Sequence, residues 1–203
     1  MTERRGRFIV LEGGEGSGKS TQAKRLVSRI VAAGRDATLT HEPGHTRVGE
    51  EIRLLLLHED WTLDPRTELL LMLADRAQHV AEVIRPALDA GTVVVSDRYA
   101  PSSLAYQGVG RELGVDAVDR VSALAAGGLE PDLVVVLDLP DDVASSRVAA
   151  EADRMERAGE AFHAAVRGAY RTLAAERGWV VVPAHGSREE VAERVWAVVE
   201  PVL

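Results

Sequence analysis

Five short apolar segments, rich in β-branched residues, alternate with longer segments of helical periodicity along the chain. They are residues 7–12, 36–40, 92–97, 132–138 and 179–183. Several are apolar throughout instead of alternating, which is typical of strands buried on both faces of a parallel sheet. The order of strands and helices therefore predicts one doubly wound α/β domain over residues 1–203, with a five-stranded parallel sheet and helices on both faces.

Three of the helical segments also carry start signals or a clear apolar face. Asp64 and Pro65 are an N-cap and a first-turn proline for a helix that runs toward residues 90–91. Ser187 and Glu190 have the spacing of a capping box, which predicts the start of the last helix. A third helix has an apolar face at helical spacing, formed by Phe162, Val166, Ala169, Tyr170 and Leu173.

Composition narrows the class of protein. The net charge of −8 makes nucleic acid an unexpected partner, since proteins that bind a phosphate backbone usually carry a basic face. No apolar run approaches the roughly 20 residues of a membrane helix, so we expect no membrane partner. The chain has no cysteine and hence no disulfide framework, which fits a cytoplasmic protein.

The stretch LEGGEGSGKSTQ at residues 11–22 contains the full phosphate-binding loop pattern, Gly-x4-Gly-Lys-Ser. Glycines let consecutive backbone N–H groups point at an anion at the start of a helix. Lys19 would bridge the β- and γ-phosphates, and the Ser20 hydroxyl would bind Mg²⁺. The pattern predicts that a nucleoside triphosphate is bound by Gly13, Gly14, Glu15, Gly16, Ser17, Gly18, Lys19, Ser20 and Thr21.

A phosphate-binding loop alone does not name an activity. A GTPase would carry an Asn-Lys-x-Asp guanine reader, which does not occur here. A motor or AAA-type ATPase would normally be larger. A small-molecule kinase needs a second anion pocket, a carboxylate for Mg²⁺ and a mobile cationic cover that excludes water. Three further stretches, at residues 40–57, 67–88 and 93–108, have the residue types of such parts.

From Phe8 nearly to its end the sequence resembles the thymidylate kinase family. The motifs are the loop itself, Glu-Pro-Gly at 42–44, ADRAQH at 74–79, and Asp-Arg-Tyr at 97–99 followed by SSLAYQG at 102–108. The resemblance implies the P-loop NTPase fold, ATP and Mg²⁺ as cofactors, dTMP as the small-molecule acceptor, and a homodimer.

The resemblance also implies which residues handle the phosphates and the metal ion. Arg98 would lie between the donor and acceptor phosphates, because a guanidinium fork suits two phosphate oxygens. Mg²⁺ would be held by Ser20 with either Asp97 or Asp138, each of which ends a buried strand. We favour Asp97 because Arg98 follows it.

On the acceptor side, the resemblance implies contacts to each part of dTMP. Arg53 would bind its phosphate, and Arg76 its phosphate or the thymine carbonyl. Met72 occupies the place where the family often has an aromatic residue that stacks on thymine. The base edge, the deoxyribose and the sugar side would be contacted by Ser102 and Gln107, by Tyr106, and by Glu42.

Residues 145–160 correspond to the family's lid over ATP. Glu15 stands where some relatives have a loop arginine, so the chain belongs with the bacterial group in which the lid supplies the cation. Arg147 and Arg154 are the candidates, and developing charge on the phosphoryl oxygens requires such a group. Residues 183–187 lie where relatives hold adenine.

Other interpretations remain open from the sequence. Met72 and His45 depart from the family pattern, so the acceptor could be another deoxynucleoside monophosphate. The thin lid also permits a nucleotide-binding regulatory module without catalysis. Arg76 could instead form a structural ion pair with Asp75 or Glu68, and structural roles are open for Arg53, Tyr106 and His79.

Overall fold

The computed structural model describes residues 6–58, 61–140, 143 and 154–203. Its centre is a five-stranded sheet in which every neighbouring pair is parallel, in the order β2-β3-β1-β4-β5. The strands are β1 (Phe8–Glu12), β2 (Ala37–His41), β3 (Val93–Asp97), β4 (Leu133–Asp138) and β5 (Val180–Pro183). Each lies within one residue of the predicted segment, so the predicted parallel α/β architecture is confirmed.

Eight α-helices occur in the described parts of the chain. They are α1 (Lys19–Ala32), α2 (Arg47–Leu57), α3 (Pro65–His79), α4 (Arg85–Asp89), α5 (Ala100–Ser103), α6 (Val115–Ala125), α7 (Glu160–Arg177) and α8 (Arg188–Val199). Two π-helical segments, Val80–Ile84 and Leu104–Gly110, follow α3 and α5 directly. Short 3₁₀ turns lie at Glu156–Ala158 and Glu200–Val202.

Helices cover both faces of the sheet, as predicted. Ile9 and Leu11 of β1 pack on the side covered by α1 and α8. Phe8 and Val10, which point the other way, pack on the side covered by α3, α6 and α7. All four side chains are fully buried. Neither face of such a strand is exposed to solvent, so no position along it favours a polar residue, which explains its continuous apolar sequence.

The predicted helix starts are also present. Asp64 accepts a hydrogen bond from the N–H of Arg66, and Pro65 occupies the first turn of α3. Ser187 and Glu190 form the reciprocal bonds of a capping box at the start of α8. Among the described residues, no helix combines the length and apolar character needed to cross a membrane.

The topology creates a crevice at the carboxyl ends of β1 and β3. These strands are neighbours, with Leu11 opposite Asp97. The chain leaves β1 toward β2 at one end of the sheet and leaves β3 toward β4 in the other half. Ligands of open α/β sheets bind at such a switch point. The phosphate-binding loop and the Asp-Arg-Tyr motif therefore meet at this edge.

Candidate active site

The phosphate-binding loop connects β1 to the N-terminus of α1. Gly13 has φ 137°, and a Cβ atom at this position would lie 2.4 Å from the carbonyl oxygen of Leu137. Gly18, the N-cap of α1, has φ 86°. Side chains at these two positions would be strained or would clash, so the tight loop requires glycine. The loop consequently leads into a helix N-terminus, where backbone N–H groups can face an anion.

Lys19 is folded over the loop that it follows. Its Nζ atom donates hydrogen bonds to the carbonyl oxygens of Gly13, at 3.0 Å, and Gly14, at 2.8 Å. Burial lowers the pKa of Lys19, and the positive charge of Arg98 lowers it further, whereas Glu15 opposes both. The ammonium group is thus held at the loop, in the position expected for a group that binds the phosphates.

Ser20 and Asp97 form the predicted pair of oxygen donors for a metal ion. The Ser20 hydroxyl donates to Asp97 Oδ2 at 2.5 Å. The other carboxylate oxygen, Oδ1, is buried and has no hydrogen-bond partner among the described residues. Carboxylate and hydroxyl oxygens suit Mg²⁺, which is usually bound by one or two protein groups together with phosphates and waters. Asp138 is instead paired with Arg171 at 2.9 Å, so the geometry favours Asp97.

The side chain of Arg98 reaches the phosphate-binding loop. Its backbone has φ 75°, a left-handed conformation that is rare for a residue other than glycine. Its Nη2 atom donates to Glu15 and, at 3.1 Å, to the hydroxyl of Tyr106. Its Nη1 atom donates to Ser102 Oγ at 3.3 Å. The guanidinium therefore lies between the loop and the predicted acceptor residues.

Glu15 belongs to the loop by sequence, but its carboxylate faces the acceptor residues. The Tyr106 hydroxyl donates to it at 2.7 Å, and Arg98 forms an ion pair with it. Burial alone would raise the pKa of Glu15, yet the charges of Arg98 and Lys19 and the hydrogen bond from Tyr106 lower it to about 2. Glu15 is consequently ionised throughout the physiological range.

Arg76 forms the buried wall of the acceptor side. Its Nε atom donates to Glu42 at 2.9 Å, and its Nη2 atom donates to Ser103 Oγ at 3.0 Å. Its Nη1 atom is buried without a partner in the described structure. The ion pair thus forms with Glu42, and not with Asp75 or Glu68. His79 also bonds to Glu42, at 3.0 Å, and lies fully buried.

Another buried carboxylate, Glu68, binds side chains from two other parts of the chain. It accepts hydrogen bonds from Gln107 at 2.8 Å, Arg111 at 3.1 Å and Arg154 at 2.9 Å. Burial opposes ionisation of Glu68, but the bonds from Arg111 and Gln107 outweigh it and lower its pKa. The amide nitrogen of Gln107 is thus engaged by Glu68, and a contact of Gln107 with the base remains a prediction.

Arg154 is anchored on the acceptor side of the site. Besides Glu68, its guanidinium donates to the carbonyl oxygen of Leu56 at 2.7 Å. This arrangement joins the end of the predicted lid to α2 and α3. A catalytic role for Arg154 remains a prediction, and Arg147 lies outside the described residues.

The predicted donor and acceptor residues enclose a common cavity of about 760 Å³. Arg53, whose Nη1 atom donates to the carbonyl oxygen of Pro43 at 2.9 Å, lines it together with Met72. The other predicted residues on its walls are Glu15, Gly16, Gly18, Lys19, Ser20, Thr21, Glu42, Arg76, Asp97, Arg98, Ser102, Tyr106 and Gln107.

A second cavity, of about 490 Å³, adjoins the same loop. It is lined by Gly16, Ser17 and Gly18 and by residues that include Ala184 and Ser187. The latter two belong to the 183–187 stretch that is expected to hold adenine. The two cavities share the tip of the loop, as a donor nucleotide and an acceptor would require.

The sequence pattern does not single out Glu12, although it lies at the centre of the site. Glu12 is fully buried and accepts hydrogen bonds from Ser102 and Tyr170. Its position at the end of a continuous apolar run was the available signal, because a charged residue there must be buried with partners. Its partner Tyr170 is 158 residues away along the chain, which no local pattern reveals.

These features define the chain as a phosphotransferase with the P-loop NTPase fold. It belongs to the thymidylate kinase family, whose sequence model, described as Thymidylate kinase, matches residues 11–195. It is 49% identical to a thymidylate kinase of Synechococcus sp. (strain JA-2-3B'a(2-13)) over 97% of this chain and 95% of that protein. Similar matches are the thymidylate kinases of Leifsonia xyli subsp. xyli, at 48% identity over 96% and 94% of the two chains, and Halothermothrix orenii, at 46% over 98% and 99%.

Proposed function

We propose that this chain transfers the γ-phosphoryl group of ATP to dTMP, giving ADP and dTDP. The observation that carries the proposal is the position of Arg98, whose guanidinium contacts Glu15 of the phosphate-binding loop and lines the same cavity as the acceptor residues. The names of the relatives support thymidylate as the acceptor.

In this mechanism the loop and the start of α1 hold the donor phosphates, and Lys19 contacts the β- and γ-phosphates. A phosphate oxygen of dTMP attacks the γ-phosphorus in line, and the bond to the bridging oxygen of ADP breaks. No general base is required, because the acceptor is already an anion at pH 7. Arg98 would contact both phosphate tails, and Arg53 would hold the acceptor phosphate.

Ser20 and Asp97 are the residues that would hold Mg²⁺. When bound, the ion would offset the negative charge of the donor phosphates. The unpartnered Oδ1 atom of Asp97 supports this assignment.

Arg76 would read the thymine ring. Its buried Nη1 atom lacks a partner in the described residues, and a thymine carbonyl oxygen would supply one. Met72 would pack against the face of the base, and Tyr106 would lie under the deoxyribose, where it leaves no space for a 2′-hydroxyl group. Each contact keeps the role that the family resemblance implies.

The acceptor is tested by following ADP release with dTMP, dUMP, dCMP, dGMP and dAMP. We expect kcat/KM to be highest for dTMP, by about 100-fold or more over the purine nucleotides. A purine lacks the thymine carbonyl that would pair with Arg76, so this buried guanidinium would keep an N–H group that is unpaired within the described residues. Faster turnover of another monophosphate would contradict the assignment of thymidylate while leaving a nucleotide kinase.

Arg98→Ala separates catalysis from mere nucleotide binding. We expect kcat to fall by about 10³-fold with ATP affinity retained, as for other arginines that contact a transferred phosphoryl group. Arg66→Ala, at an exposed position on α3, is the matched control. ATP binding without turnover in the unaltered protein would favour a regulatory module.

We also propose a homodimer in the cytoplasm. Exposed leucines occur on three helices, of which α3 packs against both α2 and α6: Leu54 on α2, Leu70 on α3 and Leu124 on α6. Exposed apolar side chains on helices that pack together are a candidate interaction surface, and the family resemblance identifies a second copy of the chain as the occupant. The absence of cysteine supports the cytoplasmic location.

A further inference from the structure

Glu12 connects the phosphate-binding strand to the turn that carries Arg98. It is the last residue of β1 and is fully buried. Its Oε1 atom accepts hydrogen bonds from the backbone N–H groups of Tyr99, at 2.9 Å, and Ser102, at 3.2 Å. Its Oε2 atom accepts the hydroxyl groups of Ser102 and Tyr170, both at 2.7 Å. Four donors thus converge on one carboxylate.

The turn that Glu12 holds has an unfavourable backbone conformation. Arg98 has φ 75°, a backbone conformation that residues with a Cβ atom rarely adopt. Its N–H donates to the carbonyl oxygen of Leu11 at 3.0 Å, and its own carbonyl accepts from Ser96 Oγ at 2.7 Å. The next N–H along the chain, that of Tyr99, is the one bound by Glu12. These bonds on both sides of Arg98 fix the direction in which its side chain leaves the turn.

A carboxylate is the group that suits this position. It is an acceptor only and can take all four bonds, whereas an amide would turn one N–H₂ group toward hydroxyls or backbone donors. Glu12 is not among the residues that line the cavity, so we expect no contact between Glu12 and the phosphates. Burial raises the pKa of Glu12 above its usual value, although the positive charge of Arg98 and the hydrogen bonds that Glu12 accepts partly oppose this shift.

We propose that Glu12 is a positioning residue for phosphoryl transfer: it holds the 97–102 turn so that the Arg98 guanidinium faces the phosphate-binding loop. This inference rests on the proposed function of Arg98. It assigns to Glu12 an effect that is transmitted through Arg98 and is absent when Arg98 is absent.

A double-mutant cycle between Glu12→Gln and Arg98→Ala tests this dependence. We expect Glu12→Gln alone to lower kcat by about 10- to 100-fold, with the KM for ATP changed less than about threefold. In the Arg98→Ala background the same change should lower kcat less than about twofold. The KM for dTMP and its Kd from calorimetry are measured in all four proteins.

Glu68→Gln is the matched control, because Glu68 is an equally buried carboxylate with several donors but contacts neither the 97–102 turn nor Arg98. Whatever Glu68→Gln costs should add to the loss from Arg98→Ala. Glu12→Asp keeps the charge but shortens the reach, so we expect it to behave like Glu12→Gln. Full activity of Glu12→Asp would contradict positioning by hydrogen bonds.

Tyr170→Phe covers the case in which Glu12→Gln does not fold. It removes one of the four donors, and we expect a fall in kcat of about three- to tenfold that again disappears without Arg98. Additive losses in both cycles, or a loss explained by the folded fraction alone, would overturn the proposal.

Failure of the proposed function has a different signature, namely no ADP release from the unaltered protein with any of the five monophosphates. In that case the cycle is read from the Kd for dTMP, where Glu12→Gln should weaken binding only while Arg98 is present. Additivity in that readout also overturns the role of Glu12.

Discussion

Asp75 has a buried carboxyl group in which only one of the two oxygen atoms accepts a hydrogen bond from the described residues. Its Oδ1 atom accepts the N–H of Gly44 at 3.0 Å, while Oδ2 has no partner among the described residues. Burial and the nearby charge of Glu42 raise the pKa of Asp75 from 3.8 to about 6. The folded state therefore binds a proton more tightly than the unfolded state, and stability falls as the pH rises from about 4 to about 6.

Asp75→Asn should remove this pH dependence, because an amide does not titrate. The raised pKa corresponds to about 3 kcal/mol that the folded state loses by pH 8. The new amide N–H₂ group lacks a partner, so we expect a net gain of about 1–2 kcal/mol at pH 8 and no gain at pH 4. Urea unfolding at both pH values measures the difference. Asp89→Asn, at an exposed site, is the control, and an equal effect of Asp75→Asn at both pH values would contradict the explanation.

Met72 should be improvable as a contact for the base. A thioether packs against a pyrimidine face, but an aromatic ring stacks on it more favourably. Met72→Phe should therefore lower the KM for dTMP by about fivefold without changing kcat, because the gain is about 1 kcal/mol of uniform binding. Val31→Phe, on the exposed side of α1, should change neither constant. A raised KM would mean that Met72 does not face the base.

At the scale of single residues, the sequence predicts which side chains meet at the site where motif spacing encodes it, and it misses the contacts that depend on how the chain folds. Lys19 and Ser20 follow from the loop pattern, and Arg98 from its motif. The sequence does not predict Glu42 as the ion-pair partner of Arg76, because Glu42 is 34 residues away and other carboxylates are nearer in the chain. Glu12 and Glu68 were missed for the same reason, since their donors come from elements far apart in the chain.

At the scale of elements, strands were easier to predict than helix irregularities. A parallel strand buried on both faces leaves a continuous apolar run with clear ends. The predicted helix that starts at Asp64 does continue to Asp89, but with the π-helical segment Val80–Ile84 inside it. One extra residue in a turn barely changes the apolar periodicity, so the pattern does not reveal it.

The contacts of Arg154 lead us to expect different effects from substituting the two predicted lid arginines. Because its guanidinium is bound to Leu56 and Glu68, we expect Arg154→Met to lose about 2 kcal/mol of stability and less than about tenfold in kcat. We expect Arg147→Met to retain stability and lose about 10³-fold in kcat. Urea unfolding and steady-state kinetics check both, with Arg66→Met as the surface control. The opposite distribution of losses would identify Arg154 as the catalytic arginine.

At the scale of the whole molecule, the exposed leucines of α3 and α6 provide a test of the proposed homodimer. If they form the interface between two copies, burying a charge there is costly, and Leu70→Glu with Leu124→Glu should abolish association. Light scattering should then give 21.9 kDa instead of twice that mass. Val181→Glu changes an equally apolar but separate exposed site on β5 and should leave the dimer intact. A dimer that survives the double substitution would place the interface elsewhere, because carboxylates without partners are too costly to bury in an interface.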